Sequence, residues 1–223
     1  MSDSKRPLSN RVVARLLPDR YLAAQLRRPT GRFGRWVMTR GLNKGNAQLI
    51  EATLAALELG EQDRFLDLGF GGGLSIQMAS RATAGQLWGV DFSPDIVAEG
   101  FRYLSELIEA GQLNLLTGDV GDLPLRDGVV DVISTNNTVY FWPDVPLALA
   151  EFKRVLSPGG RLAIGYSGPE RMKKLDNITR HGFTIFTVDE FEEQVRKAGF
   201  DPVRTIALDG TMTEGAFVTV ARR

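Results

Sequence analysis

From about residue 46 onward, short apolar β-prone runs alternate with stretches whose apolar residues recur at helical spacing. Ile50, Leu54 and Leu57 share one face of a helix predicted to open at Asn46 as N-cap and to end at Gly60. Arg64-Phe65-Leu66-Asp67-Leu68 then reads as a strand, Gly69-Phe70-Gly71-Gly72-Gly73 as a tight turn, and Leu74-Ser75-Ile76-Gln77-Met78-Ala79 as a second helix. Residues 86–91 form a second strand. Ser93-Pro94 opens a helix whose buried stripe is Ile96, Val97, Phe101, Leu104, Leu107 and Ile108. Further strands are predicted at 113–120, 129–134 and 161–165, with a helix over 145–156. Thr187-x-x-Glu190 is a capping box for a helix over 191–198, closed by Gly199, and strands at 202–208 and 216–221 end the series. Strand and helix in alternation predict an α/β domain with a parallel sheet.

Length and composition narrow this picture. A chain of 223 residues with 43% hydrophobic residues is enough for one α/β core. The sequence has no cysteine, which excludes disulfides, thiolate metal sites and a cysteine nucleophile. Its lone histidine has no partners at metal-ligand spacing, so no metal is expected. The absence of an apolar signal core and of any run of about 18 apolar residues predicts a soluble, cytoplasmic protein. Formal net charge is zero but unevenly spread: residues 1–44 hold 11 Lys/Arg against Asp3 and Asp19, leaving an excess of nine acids in 45–223. Such a basic arm attracts nucleic acid, anionic lipid or an acidic substrate, or else lies on the acidic body. Pro7, Pro18, Pro29, Gly31, Gly34 and Gly41 keep its helices short, while Val12, Val13, Leu16, Leu17, Tyr21, Leu22 and Leu26 sit at helix-like spacing. Trp36, Val37 and Met38 add an apolar knot.

The glycine turn is where chemistry enters. Glycines permit positive φ and close backbone approach, and the following helix N-terminus offers unpaired N–H groups, a setting suited to a nucleotide-like ligand. The dinucleotide fingerprint fails in both frames, because Leu74 and Ile76 stand where its third glycine is required, and no lysine follows to make a phosphate-binding P-loop. Three strands end on carboxylates: Asp67, Asp91 and Asp119. In an open parallel sheet, ligands bind beyond the carboxyl ends of strands, so Asp91 points toward whatever lies over the glycine turn, where its two oxygens match two ribose hydroxyls.

Asp67-x-Gly69-x-Gly71-x-Gly73 resembles the first motif of class I S-adenosylmethionine-dependent methyltransferases. Arg154-Val155-Leu156-Ser157-Pro158-Gly159-Gly160 closely resembles the Arg-Val-Leu-x-Pro-Gly-Gly that follows the motifs of that family. The resemblance covers residues 46–223 and leaves 1–45 as a basic arm, a candidate lid. It implies a three-layer Rossmann-like sandwich with a seven-stranded, mostly parallel sheet and a C-terminal antiparallel hairpin. It also implies S-adenosyl-L-methionine as cofactor, held at Asp67, Gly69, Phe70, Gly71 and Gly73. By the same resemblance Asp91 binds the ribose, Phe92 stacks on the adenine, Asp119 and the Val120 backbone meet the adenine edge, and Asn136 stands near the reactive end.

Nucleobase amino-methyltransferases of this class carry two prolines where this chain has Asn136-Asn137-Thr138-Val139-Tyr140, which argues against DNA adenine or glutamine-type acceptors, and no nucleic-acid partner is favoured. The glycine turn and the 154–160 string are most similar to the small-molecule group that includes quinone-biosynthesis enzymes. The expectation is therefore methyl transfer to a small molecule by in-line displacement. A neutral hydroxyl acceptor requires a base, for which His181 is the first candidate and Tyr140 or Asp144 follow. Two alternatives stand beside it: RNA or protein methylation with the basic arm as docking element, and cofactor binding without transfer.

Overall fold

The computed structural model describes residues 17–31, 43–210 and 213–223. Its helices are α1 (Asp19–Arg27), α2 (Asn43–Leu57), α3 (Leu74–Ala79), α4 (Pro94–Tyr103), α5 (Ser105–Glu109), α6 (Val145–Val155), α7 (Pro169–Lys173), α8 (Asp176–Thr179) and α9 (Val188–Lys197). The strands are β1 (Phe65–Leu68), β2 (Leu87–Asp91), β3 (Leu113–Thr117), β4 (Val130–Asn136), β5 (Leu156–Ser167), β6 (Val203–Leu208) and β7 (Ala216–Arg222), joined in the order β3-β2-β1-β4-β5-β7-β6. Pairings from β3 to β5 are parallel. β7 is antiparallel to both β5 and β6, which gives the C-terminal hairpin.

Period-two alternation sorts the strand residues to two cores. Leu66, Leu68, Ile133 and Leu162 pack with α6 and α9 through Phe152 and Phe191. Phe65, Leu87, Val132 and Ala163 pack on the other face with Leu57, Ile76 and Ile96, from α2, α3 and α4. All four residues of β1 are buried, as a central strand covered on both faces requires.

Several boundaries differ from the sequence expectation. α2 starts at Asn43, so Asn46 lies inside the helix. The helix stops at Leu57 because Glu58 adopts φ 50°, while the Gly60 amide donates to Asp63 Oδ2 at 2.6 Å. The stripe over 96–108 is broken at Leu104 into α4 and α5, and Phe101 is 49% exposed; Tyr103 takes the inward position instead, its hydroxyl donating to Gly71 O. The Ser93 cap and the Thr187/Glu190 capping box form as expected, with Gly199 at φ 81° behind α9. The arm residues Val12, Val13, Leu16 and 36–38 lie outside the described residues.

Between β1 and β4 the strand order reverses, and the crevice beyond the carboxyl ends opens at that point. Arg154, from the proline-glycine string, shapes one rim. Its guanidinium donates to Leu123 O at 3.0 Å and Leu125 O at 2.8 Å and pairs with Asp127 at 2.7 Å, while Glu151 holds it from one turn back and accepts from Leu123 N at 2.8 Å. That clamp fixes the connection running on from Asp119 and Val120. Among the described residues no helix is long and apolar enough to cross a membrane.

Candidate active site

The crevice holds a cavity of about 350 Å³. Its floor begins at the glycine turn, where Gly69, Gly71 and Gly73 have φ of 68°, 47° and 71°. A Cβ on Gly69 would lie 2.5 Å from Thr138 Cγ2, so the turn and the β4 end approach as closely as glycine allows. Gly69 and Gly71 line the cavity. Gly73 does not: it sits at the N-cap of α3, packed against Tyr103 and Leu104. Phe70 is likewise absent from the lining. Its ring is 4% exposed and occupies the space left by Gly89 and Gly100, where added Cβ atoms would meet it at 3.0 and 2.9 Å. Its ring therefore belongs to the core, and only its backbone runs between the cavity-lining Gly69 and Gly71.

Asp67 and Asp91 are 3% and 8% exposed and face the cavity side by side from adjacent strands. Asp91 accepts from Ser93 N at 2.9 Å and Gly71 N at 3.2 Å, so its carboxylate is oriented by the two loops it joins. Burial nevertheless raises its pKa to about 6. Burial pushes Asp67 well above the usual carboxylate range, and the charge on Asp91 adds to the effect. Beside Asp67 the buried hydroxyl of Ser75 opposes that rise, although it makes no hydrogen bond of good geometry. Sequence reasoning passed over Ser75 because nothing in its spacing distinguishes it from an ordinary first-turn serine.

Phe92 is 47% exposed at the cavity edge, with the Arg28 guanidinium 4.8 Å from its ring centroid. Asp119 and Val120 line the same side, Asp119 turning its own loop through a 2.9 Å bond from Gly121 N. Asn136 lines the cavity too, but its amide is engaged: Oδ1 accepts from Thr53 at 2.7 Å and Nδ2 donates to Ser134 at 3.2 Å. Next to it Asn137 takes φ 56° and donates to Asn46 Oδ1 at 3.2 Å. Asn46 and Asn137 are therefore site residues that the sequence did not mark.

Tyr140 lines the cavity with its ring while its hydroxyl faces inward, donating to Asn137 Oδ1 at 3.0 Å and accepting from Ser167 N at 2.5 Å. Burial pushes the phenol up to about 12, so it is a brace and not a base at neutral pH. Asp144 caps α6 through Leu147 N at 2.9 Å and lies outside the lining. His181 is exposed on the turn after α8, also outside the lining. Neither supplies a base to the cavity. Phe183 does enter, edge-on to Phe141 with centroids 4.6 Å apart, and with Met172 and Leu175 makes the far wall apolar.

The arm closes one side. Leu26, Arg27 and Pro29 reach the cavity, Ser93 Oγ donates to Pro29 O at 2.6 Å, Gly31 N donates to Asp95 at 2.8 Å, and Asn177 of α8 donates to Asp19 at 2.9 Å.

Comparison with known proteins fits this geometry. Residues 66–164 match the family described as a methyltransferase domain. The arsenite methyltransferase of Halobacterium salinarum is 29% identical over 177 residues, 76% of this chain and 44% of its own. The malonyl-[acyl-carrier protein] O-methyltransferase of Geobacter sulfurreducens is 28% identical over 162 residues, 67% of this chain and 60% of its own. A solved SAM-dependent methyltransferase from Aquifex aeolicus shares the fold, with a TM-score of 0.65 at 20% identity over 82% of this chain and 96% of that one. The chain spans about half the length of the curated relatives that it matches.

Proposed function

We propose that this chain, whose residues 66–164 match a methyltransferase domain, transfers a methyl group from S-adenosylmethionine to a small, largely apolar acceptor. The observation that carries the reading is the pairing, in one cavity, of two buried strand-end carboxylates and the buried Ser75 hydroxyl with an apolar wall of Phe141, Met172, Leu175 and Phe183. Asp91 would hold the ribose hydroxyls, the Gly69–Gly71 backbone would lie against the cofactor, Ser75 and Asp67 would take its remaining polar groups, and Phe92 and Val120 would flank the base. When bound, S-adenosylmethionine supplies an electrophilic methyl on a cationic sulfonium. The residues of the chain then contribute alignment at about 3–3.5 Å and exclusion of water. Arm residues Leu26 to Pro29 serve the second purpose as a lid over the site.

Docking of RNA on the arm is the weaker reading. Of the three cations in residues 17–31, Arg27 lines the cavity and Arg28 lies over Phe92, which leaves Arg20 without a place at the site. Salt-sensitive binding of RNA would restore it. The decisive experiment is calorimetric titration with S-adenosylmethionine and S-adenosylhomocysteine on the wild type and Asp91→Ala. Micromolar binding that the substitution abolishes is expected. No binding by a folded wild type would remove the reading and direct attention to nicotinamide dinucleotides.

A further inference from the structure

The lining of the cavity is divided by charge. Its carboxylates, Asp67, Asp91 and Asp119, all stand at the ends of β1 to β3. On the side of β4 and β5 the charged lining residue is Arg171 of α7, next to Met172, Leu175 and Phe183. Its Nη1 donates to Glu214 O at 3.0 Å, and a Cβ on Gly215 would come within 3.2 Å of Arg171 Cβ, so the β6–β7 connection holds this side chain in place. Arg27 is the second cation of the lining.

Among the described residues that line this side, none is a base that could take a proton from an acceptor. Tyr140 is braced by Asn137 and Ser167, and His181 lies outside. The residues beyond the described ones hold no histidine and no cysteine, and their one carboxylate is Asp3. An acceptor that must be deprotonated in place is therefore poorly served. Alcohols and phenols are protonated at neutral pH, and an ammonium must lose a proton while facing Arg171. A carboxyl group, with an ordinary pKa of about 4, arrives already ionised.

We propose that the acceptor is a carboxylate carried on an apolar body, and that Arg171 binds and orients it, so that the reaction is a carboxyl O-methylation. The planar guanidinium matches a carboxylate, and the aromatic and aliphatic wall receives the body. A lone pair on the carboxylate oxygen forms the O–CH3 bond while the S–CH3 bond breaks and its electron pair stays on sulfur. The products are a methyl ester and a neutral thioether, and no proton is released. Opposite charges are neutralised along the way, which a water-poor pocket favours.

This inference rests on the methyltransferase reading, and its test separates the two. Transfer of labelled methyl is measured to dodecanoate and 3-phenylpropanoate and to the alcohol, amine and thiol of equal length, with esters identified by labelled methanol released in alkali. In parallel, dodecanoate is titrated calorimetrically into protein holding S-adenosylhomocysteine, for the wild type, Arg171→Ala and Arg171→Lys. Expected are ester formation from the carboxylates alone and a dodecanoate Kd raised about tenfold or more in Arg171→Ala. Arg171→Lys is expected to be intermediate, with S-adenosylhomocysteine affinity unchanged in both variants. Preference for the alcohol, amine or thiol overturns the proposal, as does dodecanoate binding that neither variant weakens. Cofactor binding without dodecanoate binding overturns the acceptor class alone, whereas a folded wild type that binds no cofactor overturns the underlying reading as well.

Discussion

A carboxylate as buried as Asp91 is held charged only by its donors, and two backbone N–H bonds leave its pKa still raised to about 6. The folded-state value lies above the unfolded value of about 4, so the native protein binds the extra proton, and this group makes stability fall as pH rises from about 4 to about 6. The stability gap between Asp91→Asn and the wild type is expected to shift in favour of the variant by about 2 kcal/mol between pH 4.5 and 7.5, measured by chemical denaturation at both pH values. Affinity for S-adenosylhomocysteine should be flat above pH 7 and weaken below pH 6 in the wild type, because protonation removes an acceptor; a binding curve without this break would take Asp91 out of the cofactor site. Gly69→Ala combines φ 68° with a Cβ 2.5 Å from Thr138 Cγ2. A loss of about 2–3 kcal/mol and of cofactor binding is expected, with Thr138→Ser in the same protein recovering only part of it, since the strain at positive φ remains. Tyr140→Phe should cost about 1–3 kcal/mol of stability by orphaning the Ser167 amide, yet leave the pH profile of turnover unchanged.

At the scale of elements, the motifs that the sequence displayed prove to be joints. Arg154 ties α6 to the connection that follows Asp119, so Arg154→Ala is expected to lose about 2 kcal/mol in denaturant titration and to weaken cofactor binding without touching the cavity. The proline-glycine string that follows it starts β5, and the capping box starts α9; both were legible because caps and turns are written in three or four consecutive residues. The break at Leu104 was not legible, since one apolar stripe runs through α4 and α5 alike, and only the packing of Tyr103 against the glycine turn separates them. For α1, Ser93, Asp95 and Asn177 provide the docking points. Trypsin should cleave after Arg20 or Arg27 more slowly once S-adenosylhomocysteine is bound, and equal rates would overturn the proposed lid.

Across the whole molecule, ligand and stability are linked. Saturation with S-adenosylhomocysteine at about 100 times its Kd should stabilise the protein by about 2.7 kcal/mol, read as a shift in denaturant midpoint that Asp91→Ala abolishes. The crevice that makes this linkage exists because strand order reverses between β1 and β4, bringing the ends of four strands from residues 65–136 to one rim. Much of that was determined by the sequence. Alternating strand and helix periods dictate a parallel sheet, a parallel sheet puts successive carboxyl ends together, and so Asp67, Asp91 and Asp119 could be placed from chain order alone. What only the tertiary structure decided depends on which way each side chain turns and what distant segment meets it. Phe70 turns into the gap left by Gly89 and Gly100, and Tyr140 turns its hydroxyl to Ser167, because space and unpaired amides exist there and nowhere local. His181 stays in solvent, while Ser75, Asn46, Phe183 and Arg171, separated by up to 137 positions in the chain, converge on one cavity. Local periodicity encodes the elements, since backbone hydrogen bonding and burial of one face are short-range; the site is made of long-range contacts, which only the packed sheet and its covering helices bring about.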